Sequence, residues 1–265
     1  MTDRTDLASL MTLSPMCVEG SATLLQCARL LHQADVRHLP VVDAGVLSGL
    51  VTDVEVFSRV GLVGGEEAWV VFEPGPEPTA AELMVRPTVA ALDEDPNEVL
   101  RRVVEPGLDA VIVVDNEGTP LGIVTEHDGL RAAADELDPA LQVGDIARPQ
   151  WASATPEVER RTARGILIGN RARHLLVENG QGLQGVVSFR DLVGGAPEER
   201  LASLMSRPVS WVPPETSAVD AARQMLRERI GVLPVVSALG VMGVVERADL
   251  IRAMLRQPVD RSRTL

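Results

Sequence analysis

Apolar and polar positions recur in the same order in four blocks along the chain. Each block opens on a short segment containing Met or Pro, passes through apolar residues at helical spacing, and then holds two β-branched runs separated by a turn. Runs of this kind, bounded by Gly, Asn and Asp, predict paired strands. The first strands are Leu39-Pro40-Val41-Val42-Asp43, Val111-Ile112-Val113-Val114-Asp115, His174-Leu175-Leu176-Val177-Glu178 and Leu233-Pro234-Val235-Val236. The second strands begin Gly49-Leu50-Val51-Thr52, Gly122-Ile123-Val124-Thr125, Gly185-Val186-Val187-Ser188 and Gly243-Val244-Val245-Glu246. Each of these glycines stands six residues before an acid that leads into another helix. Helical spacing is clearest through Leu24, Leu25, Ala28 and Leu31, and through Val219, Ala222, Met225 and Leu226. Asp95-Pro96, and Ser217 with Asp220 three residues on, are helix-start signals. The third block is the most worn, because Arg160, Arg161 and Arg164 crowd its helix and Gly165 and Gly169 weaken it.

One block is too small to bury both faces of its sheet, so the blocks are expected to pack in pairs. The first pair spans residues 7–137, with repeats at 7–60 and 79–137, and the second spans 141–256, with repeats at 141–195 and 200–256. Residues 61–78 form an insertion that holds Trp69, Val70, Val71 and Phe72 between Gly64-Gly65 and Pro74-Gly75-Pro76. It reads as a strap packed on the core or as a partner-docking loop.

Composition narrows the chemistry. The 265 residues are 45% hydrophobic and 24% charged, which suits a globular protein with a sizeable core. A formal charge of −13 argues against a broad footprint for nucleic acid or an anionic membrane. No apolar run approaches the roughly 20 residues of a membrane span, and the first six residues lack the features of a secretory signal. Cys17 and Cys27 fit no CxxC pattern, so the expectation is a cytoplasmic protein with two reduced, core-packed thiols and no metal site. Every basic residue is Arg; there is no Lys and no Tyr. Schiff-base catalysis, a Lys general base and a P-loop Lys are therefore excluded. The four His (His32, His38, His127, His174) form no HExxH pair, and no GxSxG elbow is present. No residue is assigned a catalytic role, no cofactor is expected, and an enzyme is the least favoured reading.

The fourfold order resembles that of cystathionine β-synthase (CBS) domains, and the likeness covers nearly the whole chain. It implies an α/β (α+β) fold of four βαββα repeats packed as two pairs, each repeat a small sheet with helices on one face. It also implies clefts between paired repeats that bind adenosine-containing ligands. The four-repeat layout is similar to that of the gamma subunit of AMP-activated kinase. In such a cleft a glycine lets the backbone approach a ligand, and a hydroxyl three residues on can meet a ribose or phosphate oxygen. The following acid can accept from ribose hydroxyls, or it can serve only as a helix cap.

The four copies are unequal. Repeat two has Gly122, Thr125 and Asp128, and repeat three has Gly185, Ser188 and Asp191, both complete. Repeat one has Gly49, Thr52 and the longer Glu55, and repeat four replaces the hydroxyl by Glu246 ahead of Asp249. The resemblance implies phosphate contacts just before the first strand, where Arg37-His38 and Arg173-His174 stand in repeats one and three. Repeats two and four offer Asp109-Ala110 and Gly231-Val232 instead. The resulting expectation is a non-enzymatic sensor of AMP, ADP, ATP or another adenosyl compound that acts on a regulated protein, with homodimerisation as an option. Repeats two and three would carry the better clefts. The alternative is an interaction scaffold of the same fold that binds no ligand.

Overall fold

The β-branched runs fold as antiparallel hairpins, and each hairpin follows an amphipathic helix. A computed structural model describes residues 6–63, 68–71, 75–105 and 109–256. Repeat one comprises the helix Leu24–Gln33, the strands His38–Asp43 and Val46–Thr52, and the helix Asp53–Phe57. Repeat two comprises Pro96–Val103, Ala110–Val114, Pro120–Thr125 and Glu126–Glu136 in the same order, and repeat four Ala218–Glu228, Val232–Ser237, Gly240–Glu246 and Arg247–Arg256. Repeat three has the helix Arg160–Asn170 and the strands His174–Asn179 and Gly182–Ser188.

A short edge segment precedes each helix and runs parallel to the first strand: Val18–Glu19, Val89–Ala91, Ser153–Ala154, and Val212 bridged to Val235. The βαββα order is thereby complete in repeats one, two and four. All four hairpins shift register at the same place, beside Val41, Val113, Val177 and Val235. A bulge at one fixed position in all four copies marks them as one structural unit repeated.

Repeat three departs from expectation at its end, where the predicted helix is only a 3-10 turn, Arg190–Leu192. Gly194-Gly195-Ala196-Pro197 follows at once. Gly195 adopts a left-handed φ of 94°, and proline cannot continue a helix, so the chain turns away.

The helix starts follow the capping chemistry read from the sequence. Asp95 accepts from the Asn97 N–H with Pro96 in the first turn, and Ser217 accepts from Asp220 N–H. Thr23 adds a reciprocal capping box with Gln26. The helix Leu24–Gln33 buries Leu24, Cys27, Ala28 and Leu31. Burial pushes the Cys27 thiol up to about 11, leaving it protonated at neutral pH.

The chain divides into two compact units between Gly129 and Leu130, inside the helix that ends repeat two. In the first, Leu50 of repeat one packs with Ala110, Ile112 and Ile123 of repeat two. In the second, Leu176 of repeat three packs with Val232 and Val244 of repeat four. The sheets of paired repeats therefore share one core, which supplies the burial that a single repeat lacks.

The openings lock each pair by exchange. Thr12-Leu13 of repeat one pairs antiparallel with Gly122-Ile123 of repeat two, and Val85 of repeat two bridges Leu50 of repeat one. Arg148 of repeat three bridges Val244 of repeat four, and Ser206 of repeat four bridges Val186 of repeat three. Within the insertion, Val60–Val63 and Ala68–Val71 pair antiparallel. Its expected strap or docking role falls on Trp69, Val70 and Phe72, whose side chains lie outside the described residues.

Candidate functional site

The motif acid of every repeat first bonds the residue three places before it, where its own helix or turn begins. Asp128 Oδ2 accepts from Thr125 N–H at 2.9 Å and from the Thr125 hydroxyl at 2.8 Å. Asp191 Oδ2 accepts from Ser188 N–H and hydroxyl, both at 2.7 Å. Asp249 Oδ2 accepts from Glu246 N–H at 2.9 Å, and Glu55 takes the Thr52 hydroxyl. The bonds from the Thr125, Ser188 and Glu246 backbone N–H groups are the returning half of a capping box. A carboxylate offers about four acceptor positions, so capping and ligand binding do not exclude each other.

The motif glycines have a packing reason. A Cβ on Gly49 would lie 2.6 Å from Met84 Cγ, on Gly122 2.7 Å from Met11 Cγ, and on Gly185 2.6 Å from Met205 Cβ. On Gly243 it would lie 2.7 Å from the Arg148 carbonyl oxygen. Each glycine thus makes room for the opening donated by the other repeat of its pair. The sequence suggested room for a ligand; the exchanged opening packs against the same glycines.

The exchange also brings one opening side chain beside a motif acid of the other repeat. The Thr12 hydroxyl donates to Asp128 Oδ1 at 3.3 Å. At the equivalent place in the second unit, Arg148 Nε donates to Asp249 Oδ2 at 2.9 Å, while its Nη2 pairs with Glu246. The two complete motifs therefore differ: Asp128 is 1% exposed under Thr12, whereas Asp191 is exposed to solvent.

The residues expected to hold phosphate stand beside acids or are partly buried. Arg37 lies 3.9 Å from Glu126 of repeat two, and His38 is buried at the start of its strand. His174 Nδ1 lies 3.3 Å from Glu246 Oε1. Its ring covers Gly231, where a Cβ would stand 2.6 Å from Cε1. Arg173 is half-buried, and its carbonyl accepts from Phe189 N–H at 2.9 Å.

Burial acts to raise the Glu246 carboxyl, but the hydrogen bonds and charges of His174 and Arg148 outweigh it and hold the group below its usual 4.5. The unfolded chain therefore binds that proton at higher pH than the folded one. The stabilisation is present above the usual carboxyl value and lost as pH falls through the folded one.

Sequence reasoning missed Arg160. Its guanidinium is buried and donates to the Asp191 carbonyl at 2.7 Å and to Glu199 Oε2 at 2.6 Å, tying the Asp191 turn to the approach to repeat four. The signal was present: Arg160, Ala163 and Leu167 share the buried face of one helix.

Two surface concavities, of about 280 and 430 Å³, lie around Asp6 and Asp95 and around Trp211 and Pro214, and neither is lined by motif residues. Among the described residues, no cluster of His, Cys, Asp and Glu is placed to hold a metal, and no helix is long and apolar enough to cross a membrane.

The CBS-domain family model matches residues 7–61, 80–135 and 201–256. These ranges make up more than half of the chain, which belongs to the CBS-domain family. Repeat three lies outside them but keeps the strand order and the bulge of the other three. A 33.4 kDa protein of the ribosomal RNA operon of Thermofilum pendens is 25% identical over 90% of this chain and 87% of its own length. The protein MJ1225 of Methanocaldococcus jannaschii is 22% identical over 89% of this chain and 93% of its own. The crystal structure of MJ1225, put forward as an archaeal homologue of g-AMPK, superposes with a TM-score of 0.77 at 19% identity, covering 93% of this chain and 99% of that one. A conserved protein of Pyrococcus horikoshii superposes at 0.67 with 20% identity, over 94% and 99% of the two chains.

Proposed function

We propose that this chain is a regulatory sensor of two CBS pairs, 7–137 and 141–256, that binds an adenosyl ligand where a motif acid meets the opening of the other repeat. The observation that carries this reading is the exposed Asp191. Its cap uses Oδ2 alone, which leaves Oδ1 available to a pair of ribose hydroxyls beside Ser188. The junction of Thr125 and Asp128 is the second site, reached when Thr12 gives up its bond to Asp128 Oδ1. With no Lys in the chain, Arg37 and Arg173 are the cations for a phosphate, and the planar fork of Arg suits its oxygens. His38 and His174 flank them. Thr52 with Glu55 forms a weaker site, and Asp249, bonded to Arg148, offers one only where that arginine is displaced.

The protein acts in the cytoplasm as a non-catalytic module, and ligand binding shifts the relative position of paired repeats or an assembly equilibrium that a regulated protein reads. A thermal-shift panel of adenosine, AMP, ADP, ATP and S-adenosylmethionine tests this. A ligand at a hundred times its Kd stabilises the native state by about 2.7 kcal/mol, so at least one is expected to raise the melting temperature. Silence across the panel at millimolar ligand favours the interaction scaffold. Turnover of a ligand would make the protein an enzyme.

A further inference from the structure

The second strand of repeat four meets an arginine where that of repeat two meets a threonine. Both residues come from the opening of the preceding repeat: Thr12 pairs with Ile123, one place after Gly122, and Arg148 pairs with Val244, one place after Gly243. The sequence explains the difference. Openings two and four read Met84-Val85-Arg86-Pro87 and Met205-Ser206-Arg207-Pro208, whereas opening three reads Ala147-Arg148-Pro149. One residue fewer before the proline draws the arginine onto the strand-pairing position.

From there Arg148 spans both acids of repeat four, with Nε on Asp249 and Nη2 on Glu246. The other oxygen of each acid is also engaged. His174 meets Glu246 Oε1 at 3.3 Å, and Arg252 donates to Asp249 Oδ1 at 3.3 Å. All four carboxylate oxygens thus have partners from within the chain. The acids are 29% and 7% exposed against 45% for Arg148, so the guanidinium covers them from the solvent side.

We propose that Arg148 is a tethered occupant of the fourth junction, a guanidinium built into the chain that closes this junction to outside ligands. It sets the number of sites in the second pair at one, and in that respect it rests on the adenosyl reading above. Occupancy by the guanidinium itself does not depend on that reading.

Two variants test it. Arg148→Thr gives the fourth junction the hydroxyl that Thr12 already gives the second, an arrangement the first pair accommodates; Arg148→Ala is the backup. Both are expected to melt below wild type. Methylguanidinium chloride at millimolar concentration should raise their melting temperature, with no such gain for wild type or for Arg148→Ala combined with Asp249→Asn. Adenosine, which carries no phosphate for Glu246 to repel, should titrate with one more site per chain in Arg148→Thr than in wild type. Equal responses of all proteins to methylguanidinium would overturn the proposal. So would unchanged stoichiometry in Arg148→Thr when wild type binds adenosine. If neither protein binds adenosine, the adenosyl reading fails, and the methylguanidinium response still decides whether Arg148 fills this junction.

Discussion

Replacing Gly243 by Ala will destabilise the second unit by about 2–3 kcal/mol, within the range for overpacking a close contact. The new methyl group would stand 2.7 Å from the Arg148 carbonyl oxygen and 3.2 Å from Ala147 Cβ. A flexible side chain could swing aside, but this carbonyl is pinned, because it accepts from Val244 N–H at 3.0 Å in the bridge between repeats. Relief of the clash therefore costs the exchange that closes the pair. The expected fall in Tm is roughly 4–12 °C. Gly165→Ala is the control: it lies inside a helix with nothing within 4 Å of its Cβ position. It should be neutral or stabilise by up to about 1 kcal/mol. Denaturant unfolding of the two variants decides, and equal stabilities would contradict the account of the motif glycines.

Glu199→Ala will cost more than the exposure of that residue suggests, about 2–3 kcal/mol. The reason lies on its partner. The Arg160 side chain is 9% exposed, and Glu199 supplies its counter-charge. Breaking a buried pair by removing one ion costs about 3–5 kcal/mol, and the bond from Arg160 to the Asp191 carbonyl, which survives, reduces this figure. Arg160→Met should cost less, since Glu199 is 36% exposed and can rehydrate. The double variant should then be more stable than Glu199→Ala alone, and a double-mutant cycle measures the coupling. Acid probes the same contact. The hydrogen bond from Arg160, more than its charge, holds the Glu199 carboxyl below its usual 4.5. Its contribution is present above that value and fades as pH falls through the folded one. Additive single variants would remove Arg160 from its bridging role.

The hairpins were legible because runs such as Val111–Val114 and Leu233–Val236 carry their own strand signal and end in turn residues. The helix starts at Asp95 and Ser217 were legible for the same local reason. The edge strands were not, since two residues such as Val18-Glu19 hold no period. Nor was the exchange of openings, which joins Thr12 to Ile123 across the length of a pair and leaves no mark in local patterning. That exchange separates the four motifs. Asp128 and Asp191 share one sequence step, yet Thr12 covers the first while the second faces solvent. Likewise the charges around Glu246 come from Arg148 and His174, both in a different repeat. The third repeat lost its closing helix to Gly194-Gly195-Ala196-Pro197, a breaker that lies just beyond the motif itself.

Equilibrium titration of the intact chain with AMP, repeated on Asp191→Ala, Asp128→Ala and the double variant, tests the central claim most directly. Wild type is expected to bind about two AMP per chain, each single change should remove about one site, and the double change should abolish tight binding. Loss of a charge-assisted hydrogen bond at either acid corresponds to about 1.5–3 kcal/mol, or roughly one to two decades in Kd. Four equal sites in wild type, or binding undisturbed in the double variant, would contradict the account.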